Sequence, residues 1–281
     1  LVVVGDSKQL PPTTFFKASI SDELKDLDRE FQSMESLLDE CSGIGFREKL
    51  LKFHYRSRKE ALIAFSNFKF YNGRLMSFPD LAVPLNRREK GDSEESDSNT
   101  SDQHSAVEDY FKIESMEAIE FRYVEKGIKS KGKNIIEAKK VARAIVNHYQ
   151  LNQKYKTNYS LGVIAFSIKQ QGAIQKELSK MLKGNVDMET YMQSQKEPLF
   201  IKNLESVQGD ERDFVFFSIG YGKNAKGKMS LNFGPLNRSG GYRRLNVAIT
   251  RARYHIKLFA SFLPGEIDME RVNARGLKNL I

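Results

Sequence analysis

The chain has no tryptophan, one cysteine and no apolar run approaching the ~18 residues needed to span a bilayer. With Cys41 alone, no internal disulfide can form and a metal site built on thiolates is excluded, which fits a reducing, cytoplasmic setting. The missing membrane-length segment points to no membrane partner, and no signal peptide stands at the start, where the sequence reads Leu1 rather than an initiator methionine. Without tryptophan, any stacking on a nucleic-acid base falls to tyrosine or phenylalanine. Phe65, Phe68 and Phe70 recur at helical spacing and are expected in the core. Internal repeats are absent too.

The longest stretch without a basic residue is also acidic. Between Gly91 and Phe111 stand Asp92, Glu94, Glu95, Asp97, Asp102, Glu108 and Asp109 with no lysine or arginine, although the whole chain carries +9. The rest is therefore more basic than the total implies. Such a field favours a polyanion such as nucleic acid, while a solvated basic surface would give the same charge. The acidic segment, near residues 89–110, is serine-rich and reads as a surface insertion without a core of its own. One expectation, from charge alone, is that it mimics nucleic acid and occupies the basic path.

At 281 residues the chain can bury a large core. LVVVGDSKQLPP opens as a buried strand that ends in a loop. SMESLLDEC places Met34, Leu37, Leu38 and Cys41 on one helical face. EKLLKFHYRS reads as a strand and RKEALIAFSNFKFY as a helix. Further on, AIEFRYVEKG reads as a strand, and NIIEAKKVARAIVNHY as a helix burying Ile136, Val141, Ala144, Ile145 and Tyr149. LGVIAF, a buried strand, precedes the helix QQGAIQKELSKML. PLFIKNLESVQGDERDFVFFSIGY contributes two strands around a polar turn, RRLNVAITRAR a helix and YHIKLFAS a last strand. Continuous apolar strands alternating with helices predict an α/β fold with a mainly parallel sheet covered on both faces.

A sheet of this kind presents its functional loops at the carboxyl ends of its strands. Gln9, Arg56 and the stretch Glu205 to Asp213 are expected there. Arg244 and Arg251, seven apart in one predicted helix, would share a face beside Val247 and clamp a phosphate, because each guanidinium offers a planar fork of donors. GKNAKGKM has the glycine and lysine spacing of a phosphate-binding loop, but Met229 stands where a hydroxyl is needed for magnesium, so a basic surface loop is expected.

GDSKQLPP, HYRS, ESVQGDERD and RRLNVAITRAR, in that order, resemble motifs III to VI of superfamily I helicases, in the group that includes the nonsense-mediated-decay helicase. Glu205 stands where many relatives have Asp. The resemblance covers nearly the whole chain outside the acidic segment and implies a RecA-like P-loop NTPase fold. In that family two RecA-like domains hold ATP and Mg2+ between them, and single-stranded DNA or RNA crosses the top of both. It further implies that residues 1–30 are the remnant of a first RecA-like domain, 31–265 the second, and 266–281 a C-terminal tail. The phosphate-binding loop and magnesium carboxylates would then come from the N-terminal RecA-like domain of the same protein. This chain alone would not hydrolyse ATP, and no metal ligand is expected within it.

By the same resemblance Gln9 senses the terminal phosphate, and Arg56 and Arg251 are arginine fingers. Gly209 brings its N–H to phosphate, Glu211 accepts a ribose hydroxyl and Arg244 steadies the helix or touches phosphate indirectly. Ser167, Gln171 and Ser206 contact the nucleic-acid backbone, with 5′ to 3′ translocation. The structural alternatives are a strand-capping amide for Gln9, salt bridges for the arginines and a turn carboxylate for Glu211. His54 and Tyr55 are expected to pack rather than to transfer protons. A different class of function, an inactive nucleic-acid-binding module, would use the same basic face without catalysis.

Overall fold

The computed structural model describes residues 2–10, 36–77, 116–238, 240–272 and 275–280. They fall into two compact units, Leu1–Lys52 and Phe53–Ile281. The acidic segment and Met34 lie outside the described residues.

In the first unit, residues 2–6 do not form the expected buried strand. No described strand pairs with them, and Val2 and Val4 are 87% and 80% exposed. A tight turn follows, in which the Asp6 carboxylate accepts from the Lys8 N–H at 2.9 Å and from Gln9 Nε2 at 2.8 Å. Helix α1, Leu37–Gly43, is capped by Ser36, whose Oγ accepts the Asp39 N–H, and it buries Cys41. Leu37 is exposed, so the buried face is narrower than the sequence spacing suggested.

The second unit is built on a five-stranded sheet of β3 (Ile119–Tyr123), β4 (Leu161–Ala165), β5 (Phe200–Asn203), β6 (Arg212–Gly222) and β7 (Ala252–Ser261), in the order β3-β7-β6-β4-β5. Every neighbouring pair is parallel, as the unbroken apolar runs predict. β4 is buried at all five positions and β6 at nine consecutive ones, because both faces are covered. The strand expected from EKLLKFHYRS shrinks to β1, Phe53–His54, paired in parallel with β2, Met76–Ser77; Leu50, Leu51 and Phe53 stay exposed.

One face carries α3 (Ile135–Tyr155) and α4 (Ile168–Leu182), packed on each other over Phe214, Phe216 and Val163. α5, Val186–Gln193, continues that layer through Met188 and Met192. α3 buries Ala138, Val141, Ala142, Ile145 and Tyr149, but not Ile136. At ~100° per residue Ile136 stands about 180° from Ile145. Its neighbour Glu137 is buried instead.

The other face carries α2 (Glu60–Phe70), which meets β7 and α6 (Gly241–Ile249), with α7 (Arg275–Leu280) against α6. Phe70 stacks on Tyr242 and Asn246 donates to the Tyr71 hydroxyl at 3.0 Å. Phe68, expected in the core, is 76% exposed because Leu62, Ile63, Ser66 and Phe70 define the inward stripe. Helix α6 stops at Ile249 with Thr250 as its cap. Arg251 therefore lies beyond the helix and shares no face with Arg244, which removes the expected clamp. Ile267 and Val272 are buried, so the segment after β7 packs back on the unit. No helix of the described residues is long and apolar enough to cross a membrane.

Candidate functional site

Glu211 and Arg251 each immediately precede a strand, β6 and β7, and these strands begin side by side through the Arg212–Ala252 pair. Arg56 arrives from the loop after β1, which is anchored there by the Arg58 N–H donating to the Arg253 carbonyl at 2.7 Å. These groups thus gather at the amino ends of the parallel strands. This corrects the expectation that the loops cluster at the carboxyl ends; the motif V stretch reaches the opposite rim because it crosses the sheet.

Arg56 Nε donates to Glu211 Oε2 at 2.5 Å. The other Glu211 oxygen accepts from Arg253 Nη2 at 3.1 Å, and Arg253 also clasps Glu197 in two bonds and reaches Asp213 at 3.1 Å. Burial opposes ionisation of Glu211, but the bonds from Arg56 and Arg253 outweigh it and hold the carboxyl below its ordinary range. For Glu197 the Arg253 bonds lead, lowering the carboxyl to about 2. Arg253 stands in the motif VI match and has no site role in the sequence reading; the acids that collect it come from two separate places in the chain, Glu197 and the pair Glu211 and Asp213.

Arg251 is buried. Its Nε donates to the Val247 carbonyl at 2.7 Å, Nη1 to the Asp210 carbonyl at 3.3 Å and Nη2 to Thr250 Oγ1 at 2.9 Å. Three of the five N–H donors of a guanidinium are thereby used, and none of those acceptors is a carboxylate. Burial first, and then the charge of Arg56, lowers its pKa to about 10. His54 feels the same charge: burial, then Arg56 and Arg251, bring its imidazole down to about 4. Its Nε2 accepts the Ser57 N–H at 3.1 Å, so it is a neutral loop-forming residue, in line with packing. The place is thus a pair of half-buried guanidiniums, Arg56 and Arg253, sharing one carboxylate beside the buried Arg251, and its donor forks suit a phosphate chain.

The connection of residues 204–211 leaves β5 at its carboxyl end and enters β6 at its amino end, crossing the sheet on the face of α6 with Leu204 and Val207 buried beneath it. Gly209 turns there at φ +90°, a conformation that favours glycine. Arg244 Nε lies 3.6 Å from Glu205, and Arg238 lies 3.4 Å from the same carboxylate. The residue that departs from the usual spelling thus ties the crossing segment to α6.

At the opposite rim, Ser167 caps α4 by accepting the Gln170 N–H at 3.2 Å. Gln171 donates to the Ile201 carbonyl and accepts from Asn203 Nδ2, both at 3.0 Å. Ser206 accepts the Asn203 N–H at 3.3 Å. Asn203 joins Gln171 to Ser206 and was not singled out from sequence, since nothing local distinguishes it. Ser167, Gln171 and Ser206 line one polar edge at the carboxyl ends of β4 and β5.

The GKNAKGKM stretch is a turn closed by Asn224, whose side chain accepts the Lys226 and Lys228 N–H groups, with Lys223 bridged to Met229. It opens no helix and is a surface loop, as expected. Gln9 is held by Asp6 within its own unit. Among the described residues no group of three or more His, Cys, Asp or Glu could hold a metal ion.

A family model described as an AAA domain matches residues 33–261. Over its whole length the chain is 32% identical to a protein of Mycoplasma pneumoniae named "Uncharacterized ATP-dependent helicase MG140 homolog", covering 22% of that protein. Over 92% of its length it is 31% identical to the "Uncharacterized ATP-dependent helicase MG140" of Mycoplasma genitalium, covering 20% of that protein. The chain spans about a fifth of the length of these curated relatives.

Proposed function

The chain belongs to the AAA domain family, in its superfamily I helicase C-terminal type, and from that premise we propose that it is the second RecA-like domain of an ATP-dependent helicase. The single observation that carries the reading is the convergence of Arg56 and Arg253 on Glu211 at the amino ends of β6 and β7, beside the buried Arg251 held by the Asp210 carbonyl. Arg251 has no carboxylate of its own there, and Arg56 has only the one it shares with Arg253, so both guanidiniums could turn to a triphosphate.

In this reading ATP lies between this domain and an N-terminal RecA-like domain that supplies the phosphate-binding loop and the ligands of Mg2+. Arg56 leaves Glu211 for the terminal phosphate, while Arg251, fixed by three neutral acceptors, holds its position. Such fingers are worth about a thousandfold to a hundred-thousandfold in related phosphoryl transfers. Gly209 offers its N–H to phosphate, and Glu211, once released, accepts a ribose hydroxyl. Arg244 acts indirectly, by holding the crossing segment, and Gln9 senses the terminal phosphate. A single strand of DNA or RNA runs along Ser167, Gln171 and Ser206, contacts that give affinity without sequence readout. Residues 204–211 join the two rims, so a change at the phosphate is felt at Ser206.

The deciding experiment is ATP turnover by the full-length protein with and without single-stranded DNA or RNA, beside Arg56→Ala. Turnover stimulated by one nucleic acid and lost in the variant, with strand binding retained, supports the motor. Absence of turnover with binding intact replaces it by the inactive nucleic-acid-binding module.

A further inference from the structure

Five lysines line one groove of about 540 Å³ on the outer side of α4: Lys131, Lys133, Lys169, Lys176 and Lys180. Only Lys180 meets an acid there, Glu177 at 2.6 Å. Among the described residues the other four have no carboxylate partner.

The groove is built. Ser130 and Lys133 exchange both backbone hydrogen bonds, at 2.9 and 3.1 Å, around a two-residue turn in which Lys131 and Gly132 both have positive φ, +51° and +82°. A side chain at Gly132 would come within 2.8 Å of Lys169 Cδ, so the turn lies directly on the first turn of α4. Asn134 and Gln170 then lock the two together through a reciprocal pair of buried bonds, at 2.8 and 3.2 Å. Lys169, Lys176 and Lys180 follow one stripe of the helix, spanning about 16 Å. That length matches roughly four or five phosphates at the ~3.4 Å spacing of one strand.

We propose that this lysine groove is a second track for the nucleic-acid backbone, continuing the path beyond Ser167. The inference rests on the helicase reading for the path it extends. Ser167 caps the very helix whose first turn carries Lys169, while Gln171 faces β5 on the other side, so a strand leaving Ser167 away from Ser206 enters the groove. The lining favours phosphates over an acidic protein: lysines act as point charges toward a backbone, and the groove has no aromatic or arginine anchor of the kind that dominates protein interfaces.

The test is binding of oligothymidylate and oligouridylate across a salt series, in a short length that spans only Ser167 to Ser206 and in a longer one. K131Q/K169Q/K176Q is compared with K154Q/K156Q/K196Q, an equal charge change on exposed lysines elsewhere, after thermal melting shows both folded. The groove variant is expected to weaken the longer oligonucleotide about 10- to 100-fold and to reduce its salt slope by about 2, at ~0.7 per lost phosphate contact. The short one is expected to bind unchanged. Equal losses in the two triple variants, or no loss, overturn the groove. Displacement of the long strand by polyglutamate as readily as by unlabelled oligonucleotide overturns it in favour of an acidic protein. In Q171A/S206A, binding of the short oligonucleotide reports the first path separately: retained binding there defeats that path, and the groove variant still decides the groove.

Discussion

Arg56 and Glu211, distant in sequence, meet at 2.5 Å, and Arg253 holds the other side of the same carboxylate. Glu211 is about a third exposed, so the pair is a switchable contact rather than a buried lock. Replacing Glu211 by Gln keeps the shape and removes the charge between Arg56 and Arg253. The expected loss of stability is small, about 1 kcal/mol or less for so exposed a pair, whereas affinity for ATP in the full-length protein is expected to change severalfold. Parallel urea denaturation and nucleotide titration check this. A stability loss far above that size with unchanged nucleotide affinity would make Glu211 a purely structural residue.

Arg251→Ala in the full-length protein is expected to lower nucleic-acid-stimulated turnover by about a thousandfold or more, with little change in strand affinity, because Ser167 and Ser206 lie at the opposite rim. Arg251→Lys is expected to recover little, since a lysine cannot serve the Val247, Asp210 and Thr250 acceptors and still present a fork. Steady-state turnover beside fluorescence anisotropy reads both quantities. Full activity in the alanine variant would remove Arg251 from the chemistry.

Glu137 is fully buried at the start of α3, where one oxygen accepts the Ser218 hydroxyl and the Gly220 N–H, both at 2.7 Å, and the other accepts Ser261 at 3.1 Å. Burial is the largest influence and raises its pKa from 4.5 to about 7 against those bonds. The protonated carboxyl therefore contributes stability fully below about 4.5, and that contribution is lost as pH rises to about 7. The loss amounts to ~3 kcal/mol. Glu137→Gln is expected to flatten this stretch of the stability curve, measured by urea unfolding at intervals across the window. Unchanged pH dependence in the variant would show that Glu137 is not its source.

Gly162 sits mid-strand in β4 because Phe200, its register partner on β5, lies over it: a Cβ there would come within 2.3 Å of the ring. The ring is itself held beneath Arg212, 4.9 Å from its centre. Gly162→Ala forces the ring out, and the expected cost is about 1–3 kcal/mol of overpacking. Thermal unfolding measures it. A variant as stable as the parent would show that the ring finds another seat.

Much of this molecule was legible in the residue order. Unbroken apolar strands between amphipathic helices predicted the parallel sheet, and the order of four short motifs pointed to the family, because both are patterns along the chain. Where a pattern was local, the expectation held, as in β4. Where a neighbour decided, it failed. Val2 and Val4 find no described strand to pair with, Phe68 points away from the stripe set by Leu62 and Phe70, and α6 ends before Arg251. No periodicity could show that Arg56, Glu211, Arg251 and Arg253 meet at the amino ends of β6 and β7, that residues 204–211 cross the sheet, or that Asn134 and Gln170 lock a lysine turn onto α4. Those facts belong to tertiary structure, because each depends on where distant strands begin and end in space, which side-chain spacing along a single element does not encode.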